Sequence, residues 1–140
     1  MSGEKEIHAL QIDKQKALSK GNWKDLAAIC NYLGKQYSER GHLDQALSEH
    51  KEELRICQYK LKDENGVAIA HRNIGEVYAE MEEYKKALDS LKVYLELAEK
   101  MKDFVEIQRA WATIGRTYYM KSDLNRALTA FTTALNLAEK

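Results

Sequence analysis

The sequence predicts an all-α fold, a helical-repeat superhelix of about seven antiparallel helices, and three observations carry that prediction. The 140 residues contain no proline, and alanine, leucine, glutamate and lysine, all good helix formers, are abundant. A glycine-centred segment occurs three times, as NYLGKQY (31–37), RNIGEVY (72–78) and ATIGRTY (112–118), with the glycines 41 and then 40 residues apart. Twelve residues after each glycine stands an alanine–leucine pair, Ala46-Leu47, Ala87-Leu88 and Ala127-Leu128, with Leu43, Tyr84 and Leu124 three residues before the alanines. Self-similarity at such a period marks stacked helical units rather than one irregular core.

The elements follow in order. The first helix is expected over 4–19, where Ile7, Leu10, Ile12, Ala17 and Leu18 can cover the open side of the first repeat, and Lys20-Gly21-Asn22 stops it. Three helix pairs follow, over 23–40 with 43–60, 65–81 with 83–101, and 104–120 with 123–139. Gly41 closes the second helix, Asp103 followed by Glu106 has the form of a capping box, and Ser122-Asp123 offers caps for the last helix. The organisation read from this is a capping helix over 1–22 and repeats over 23–62, 63–102 and 103–140. The last helix has no polar capping helix after it, so either the array continues in a longer chain or the open end self-associates with another copy.

The third copy resembles the tetratricopeptide pattern W-x2-L-G-x2-Y…A-x3-F most fully, with Trp111, Ile114, Gly115, Tyr118, Ala127, Phe131 and Ala134 in place. The corresponding core positions in the other copies are Gly34, Tyr37 and Ala46, and Gly75, Tyr78 and Ala87. Glycine inside a helix costs about 1 kcal/mol relative to alanine. The expectation is that it sits where the two helices of a pair come closest, so that packing offsets the propensity. The usual repeat is about 34 residues; the surplus here falls at 61–67 and 102–107, lengthening helices at the inter-repeat corners.

Composition excludes several classes of function. Lys plus Arg and Asp plus Glu both number 22, so net charge argues for neither a nucleic-acid nor a membrane partner. No signal peptide is read at the N-terminus and no apolar run approaches a membrane span, which predicts a soluble, intracellular protein. Cys30 and Cys57 form no CxxC pair and read as small buried thiols. His8, His42, His50 and His71 have no zinc-ligand spacing, and His71 takes the place Trp111 has in the third repeat, as a packed histidine. No nucleophile has a base at a telling spacing, so no enzyme activity, cofactor or metal is expected.

Function is expected on the concave surface, which the first helix of each pair lines. The inward positions are Ala28, Asn31, Lys35 and Glu39 in the first repeat, then Ile69, Arg72, Glu76, Ala79 and Glu80 with Asn73 beside them, then Arg109, Ala112, Arg116, Tyr119 and Met120. Asparagine and arginine there suit hydrogen bonding to an extended peptide backbone or carboxylate. The competing reading is that the charges pair among themselves, as Arg72 and Glu76 could at i,i+4.

One stretch is more particular. AHRNIGE (70–76), AEMEEY (79–84), YLELA (94–98) and above all QRAWATIGRTY (108–118), with CNYLGKQYSERGHLDQALSEHKEEL (30–54) before them, resemble the N-terminal tetratricopeptide region of Tonsoku-like proteins. Arg72, Glu76, Gln108, Arg109 and Arg116 lie off the core pattern, so the resemblance exceeds the repeat framework. It implies a nuclear scaffold for replication-coupled homologous recombination and genome maintenance, with histones H3–H4 and replication-fork proteins as partners. The ankyrin, ubiquitin-like and leucine-rich segments of that family are not in this sequence. Spindle-orientation scaffolds resemble it less, because Lys35, Glu76 and Arg116 follow the glycines where those proteins carry asparagine. Co-chaperones that clamp acidic C-termini are matched in part, by Asn31, Asn73 and Arg109.

Overall fold

The computed structural model describes residues 2–138, which form an all-α chain of tetratricopeptide type with no strand among the described residues. The helices are α1 (Ser2–Lys20), α2 (Trp23–Glu39), α3 (Leu43–Arg55), α4 (Glu64–Glu80), α5 (Tyr84–Lys100), α6 (Phe104–Met120) and α7 (Leu124–Ala138), and a π-helical segment, Ile56–Leu61, continues α3.

The helix ends explain the period. Gly21, Gly41, Lys62, Glu82, Lys102 and Ser122 all have positive φ, from 49° to 78°. After α2 the Gly41 N–H donates to Ser38 O at 3.0 Å and the His42 N–H to Tyr37 O at 2.9 Å, and after α6 Ser122 and Asp123 repeat the pattern on Tyr119 and Tyr118. A left-handed residue lets the chain turn out of the helix while satisfying its last carbonyls. These residues lie 20 apart, except for 21 between Gly41 and Lys62. The surplus residue is absorbed by the π-helical segment, whose end reaches one residue further back, from Asp63 N–H to Cys57 O at 2.9 Å. A π turn admits one inserted residue without breaking the helix. That is where the difference between the two glycine spacings resides.

The chain forms two compact units, Met1–Ala70 and His71–Lys140, with the boundary inside α4. In the first, α1 packs on α2, and α2 on α3 and its π-helical end, around Ala17, Leu26, Ala27, Cys30, Ile56 and Cys57. Gln11 Nε2 donates to Tyr37 Oη at 2.8 Å, and Lys14 Nζ meets Glu49 at 2.9 Å and Glu52 at 3.0 Å, pinning α1. Ala17 is buried as expected, but Ile12 and Leu18 are exposed, so only part of the apolar set of α1 covers its neighbour. In the second unit α5 packs on α6 and α6 on α7, with Leu91, Tyr94, Ala98, Ala110 and Ile114 buried between them.

The three repeat glycines meet side chains four residues beyond the small alanine. A Cβ on Gly34 would lie 2.5 Å from His50 Cε1, on Gly75 2.8 Å from Leu91 Cγ, and on Gly115 2.8 Å from Phe131 Cδ1. At Gly75 backbone is among the nearest atoms as well, with Ala87 O 3.2 Å away. The glycine therefore makes room chiefly for a large side chain of the second helix, a refinement of the backbone-contact expectation. Ala46, Ala87 and Ala127 are buried, Tyr37 is buried, and Tyr78, Trp111 and Tyr118 are half-buried.

Two caps match the sequence reading in part. Asp103 accepts from the Glu106 N–H at 3.2 Å, but the Glu106 carboxylate turns away to other partners rather than closing a capping box. Asp123, not Ser122, caps α7, accepting from Arg126 N–H at 3.2 Å, because Ser122 is the left-handed residue of the turn.

Candidate peptide-recognition faces

In the first unit, α2 presents Ala28, Lys35 and Glu39 to solvent, while Asn31 is half-buried. Asn31 Nδ2 donates to Glu53 Oε2 at 2.8 Å, and Glu53 Oε1 shares a 2.9 Å hydrogen bond with His50 Nδ1. His50 and Glu53 are both buried, so the asparagine is anchored to a polar pair beneath the surface. An open cleft of about 240 Å³ lies here, lined by Ala28, Asn31, Tyr32, Glu53 and Ile69 among others. Tyr32, 62% exposed, escaped the sequence reading. The available signal was a tyrosine two residues before Gly34, where the other copies carry Asn73 and Thr113.

In the second unit the expected residues divide into two groups. Arg72 is withdrawn: its guanidinium lies 5.7 Å from the centre of the Tyr94 ring, with Nη1 3.4 Å from Glu106 Oε2 and Nε 3.9 Å from Glu76 Oε1. Glu106 is the hub, accepting from Tyr94 Oη and, on its other oxygen, from Arg109 Nη1 at 2.8 Å. Burial and the hydrogen bond to Glu106 push the Tyr94 hydroxyl up to about 12. Asn73 is only 6% exposed and Ala79 is buried, so neither lies on an open wall. The Arg72–Glu76 pairing foreseen as the alternative is present, but the stronger tie is to Glu106 on the next helix pair.

The accessible group comprises Glu80, Arg109, Arg116, Tyr119 and Met120, with Glu76 half-buried beside them. Burial, followed by repulsion from Glu76, raises the Glu80 pKa, and Arg116 opposes the rise. This acid pair and arginine therefore sense one another, giving a small mixed-charge patch next to the exposed Tyr119 ring. Such a patch can hold a polar backbone or a side chain of either sign.

One polar cluster in the first unit is already neutralised. Cys30, Glu49 and Glu52 bring three donor atoms within 4.8 Å of one another, yet Lys14 Nζ already bridges the two carboxylates. Burial opposes the charge on Lys14, but the hydrogen bonds to Glu49 and Glu52 outweigh it and hold the ammonium above its ordinary range. Burial pushes both thiols up, Cys57 to about 11, which makes them poor nucleophiles. No described helix is long and apolar enough to cross a membrane.

A tetratricopeptide-repeat family model matches residues 25–100. The Tonsoku-like protein of Bos taurus is 41% identical over the whole chain, which spans only 10% of that protein's length. The crystal structure of BtubC from P. vanneervenii superposes with a TM-score of 0.83 at 19% identity, covering 97% of this chain and 57% of that one. The tetratricopeptide domain of Arabidopsis FLU gives 0.75 at 22% identity, over 84% of this chain and 98% of that one. These structural likenesses speak for the fold alone. The chain belongs to the tetratricopeptide-repeat family, and its sequence is similar to a short part of Tonsoku-like proteins, about a tenth of their length.

Proposed function

We propose that the chain is a non-catalytic interaction scaffold that binds partner peptides on the exposed inner faces of its first-of-pair helices, within a nuclear factor for replication-coupled homologous recombination and genome maintenance. The observation that carries the reading is the set Glu76, Arg109 and Arg116, which lies off the repeat core and at or near solvent in the second unit. With Arg72 and Asn73 engaged or buried, recognition is assigned to Lys35, Glu76, Glu80, Arg109, Arg116 and Tyr119, and Asn31 supports the cleft beside Tyr32. The repeat limits 23–62, 63–102 and 103–140 are part of the same proposal.

The favoured ligand is a basic histone H3 tail, held by Glu76 and Glu80, and the competing ligand is an acidic C-terminus held by Arg109 and Arg116. A titration of labelled peptides of both kinds separates them, with Glu76→Lys and Arg116→Glu variants alongside and circular dichroism to check folding. Saturable binding of the basic peptide, weakened at least about tenfold by Glu76→Lys, is the expected result, since a charge-assisted contact is worth about 1.5–3 kcal/mol. Binding of the acidic peptide alone, lost in Arg116→Glu, would turn the reading to a co-chaperone-like receptor. Binding of neither would leave an oligomerisation module.

A further inference from the structure

The first and second repeats place opposite chemistry at one groove. By the repeat spacing, Asn31 and Glu53 in the first unit correspond to Arg72 and Tyr94 in the second, and Gly66 in the first turn of α4 corresponds to Glu106 in the first turn of α6. In the second unit the groove is filled from within, since Glu106 accepts from Arg72 Nη1 at 3.4 Å and from Tyr94 Oη. In the first unit an amide and a carboxylate replace those donors, and Gly66 brings no side chain to meet them. It cannot easily bring one, because a Cβ there would lie 2.7 Å from Cys57 Sγ and 2.9 Å from Asp63 Oδ2. The cleft of about 240 Å³ lined by Ala27, Ala28, Asn31, Tyr32, Glu53, Gly66 and Ile69 is therefore open where its counterpart is closed.

We propose that this cleft is the subsite for an arginine side chain of a partner peptide, an inference that rests on the reading of the inner faces as peptide-binding. The amide of Asn31 is oriented by its partner: only Nδ2 can donate to Glu53 Oε2, at 2.8 Å, which leaves Oδ1 as the end that accepts. Glu53 is the one acid among the lining residues, and no base stands with it there. A carboxylate entering the cleft meets only this acid and an acceptor oxygen. A wholly apolar side chain strips water from Oδ1 and returns no hydrogen bond. A guanidinium answers both, and suits the cleft better than an ammonium does. It is planar and weakly hydrated, so it can lie on the exposed Tyr32 ring while its edge donates to Asn31 Oδ1. Its methylenes are covered by Ala28 and Ile69. The chain makes the same combination internally, where the Arg72 guanidinium lies 5.7 Å from the centre of the Tyr94 ring and beside the Glu106 carboxylate.

The test titrates three blocked single residues, the N-acetyl N-methylamides of arginine, lysine and citrulline, into this chain labelled with nitrogen-15. The amide signals of Gly66 and Ile69 and the side-chain amide of Asn31 report the cleft. The arginine probe should shift them saturably, the lysine probe about threefold or more weakly, and the uncharged citrulline probe not at all. Tyr32→Ala, at an exposed position, should weaken the arginine probe about threefold or more, and Asn31→Leu should remove its effect on Gly66 and Ile69, with the rest of the spectrum showing that both variants fold. Equal shifts by arginine and lysine, a response to citrulline, or indifference to Tyr32→Ala would overturn the guanidinium subsite. Anisotropy titration of the labelled basic and acidic peptides, run alongside, separates this inference from the reading beneath it. Peptide binding with no arginine response at the cleft would overturn the subsite and leave the scaffold reading intact. An arginine response at the cleft with neither peptide bound would uphold the subsite and count against the scaffold reading.

Discussion

At the scale of single residues, the repeat glycines are equivalent in sequence but not in consequence. Gly34 faces the ring of His50, which is buried and bonded to Glu53, so an added methyl group has nowhere to go. Gly115 faces Phe131, which is only half-buried on the last helix and can rotate away. Gly34→Ala should therefore destabilise by about 1–3 kcal/mol through overpacking. Gly115→Ala should be close to neutral, because the gain of about 1 kcal/mol in helix propensity offsets a smaller strain. Thermal melts of the two variants check the order. The glycines were legible as packing residues from their spacing. The His50–Glu53–Asn31 chain was not, because its members stand on two helices and only folding brings them within 3 Å.

At the scale of elements, six helix ends use a left-handed residue and only two of them are glycine. Lys62, Glu82, Lys102 and Ser122 are exposed, so replacing their side chains disturbs no packing. A non-glycine residue in that conformation costs roughly 1–2 kcal/mol, and glycine returns part of this as lost chain entropy. Lys102→Gly and Ser122→Gly should each stabilise by up to about 1 kcal/mol, read as a shift of the denaturation midpoint at unchanged slope. Helix ends were foreseen within a few residues wherever glycine, asparagine or aspartate marked them. The π-helical end of α3 was not foreseen, although its cause, one surplus residue, was visible in the spacing of 41 against 40. An extra residue can become a longer loop, a longer helix or a π turn, and burial of Ile56 and Cys57 on the core side selects the last.

At the scale of the whole molecule, acidic and basic residues balance, so the pH dependence of stability near neutrality comes from individual groups rather than net repulsion. His71 is the clearest of these. Burial lowers its pKa below the ordinary 6.5, and its Nδ1 atom is buried with no hydrogen-bond partner among the described residues. Below pH 6.5 the unfolded chain takes up a proton that the folded chain resists. Stability should therefore fall as pH is lowered through the window beneath that value and be fully retained above it. His71→Trp, which restores the residue the third repeat uses, should flatten this acid limb in a series of melts from neutral to mildly acidic pH.

The sequence by itself determined the all-α class, the repeat, the packing glycines and the family, because each depends on residue type at a fixed separation along one chain. The tertiary structure decided which of the charged residues on the expected inner face are open. Arg72 and Ala79 satisfy the same periodic rule as Arg116 and Tyr119, yet the first pair is withdrawn or buried and the second is exposed. Periodicity states which way a side chain leaves its own helix. Whether Glu106 and Tyr94 wait there to receive it depends on residues more than twenty positions away, and only packing brings those together.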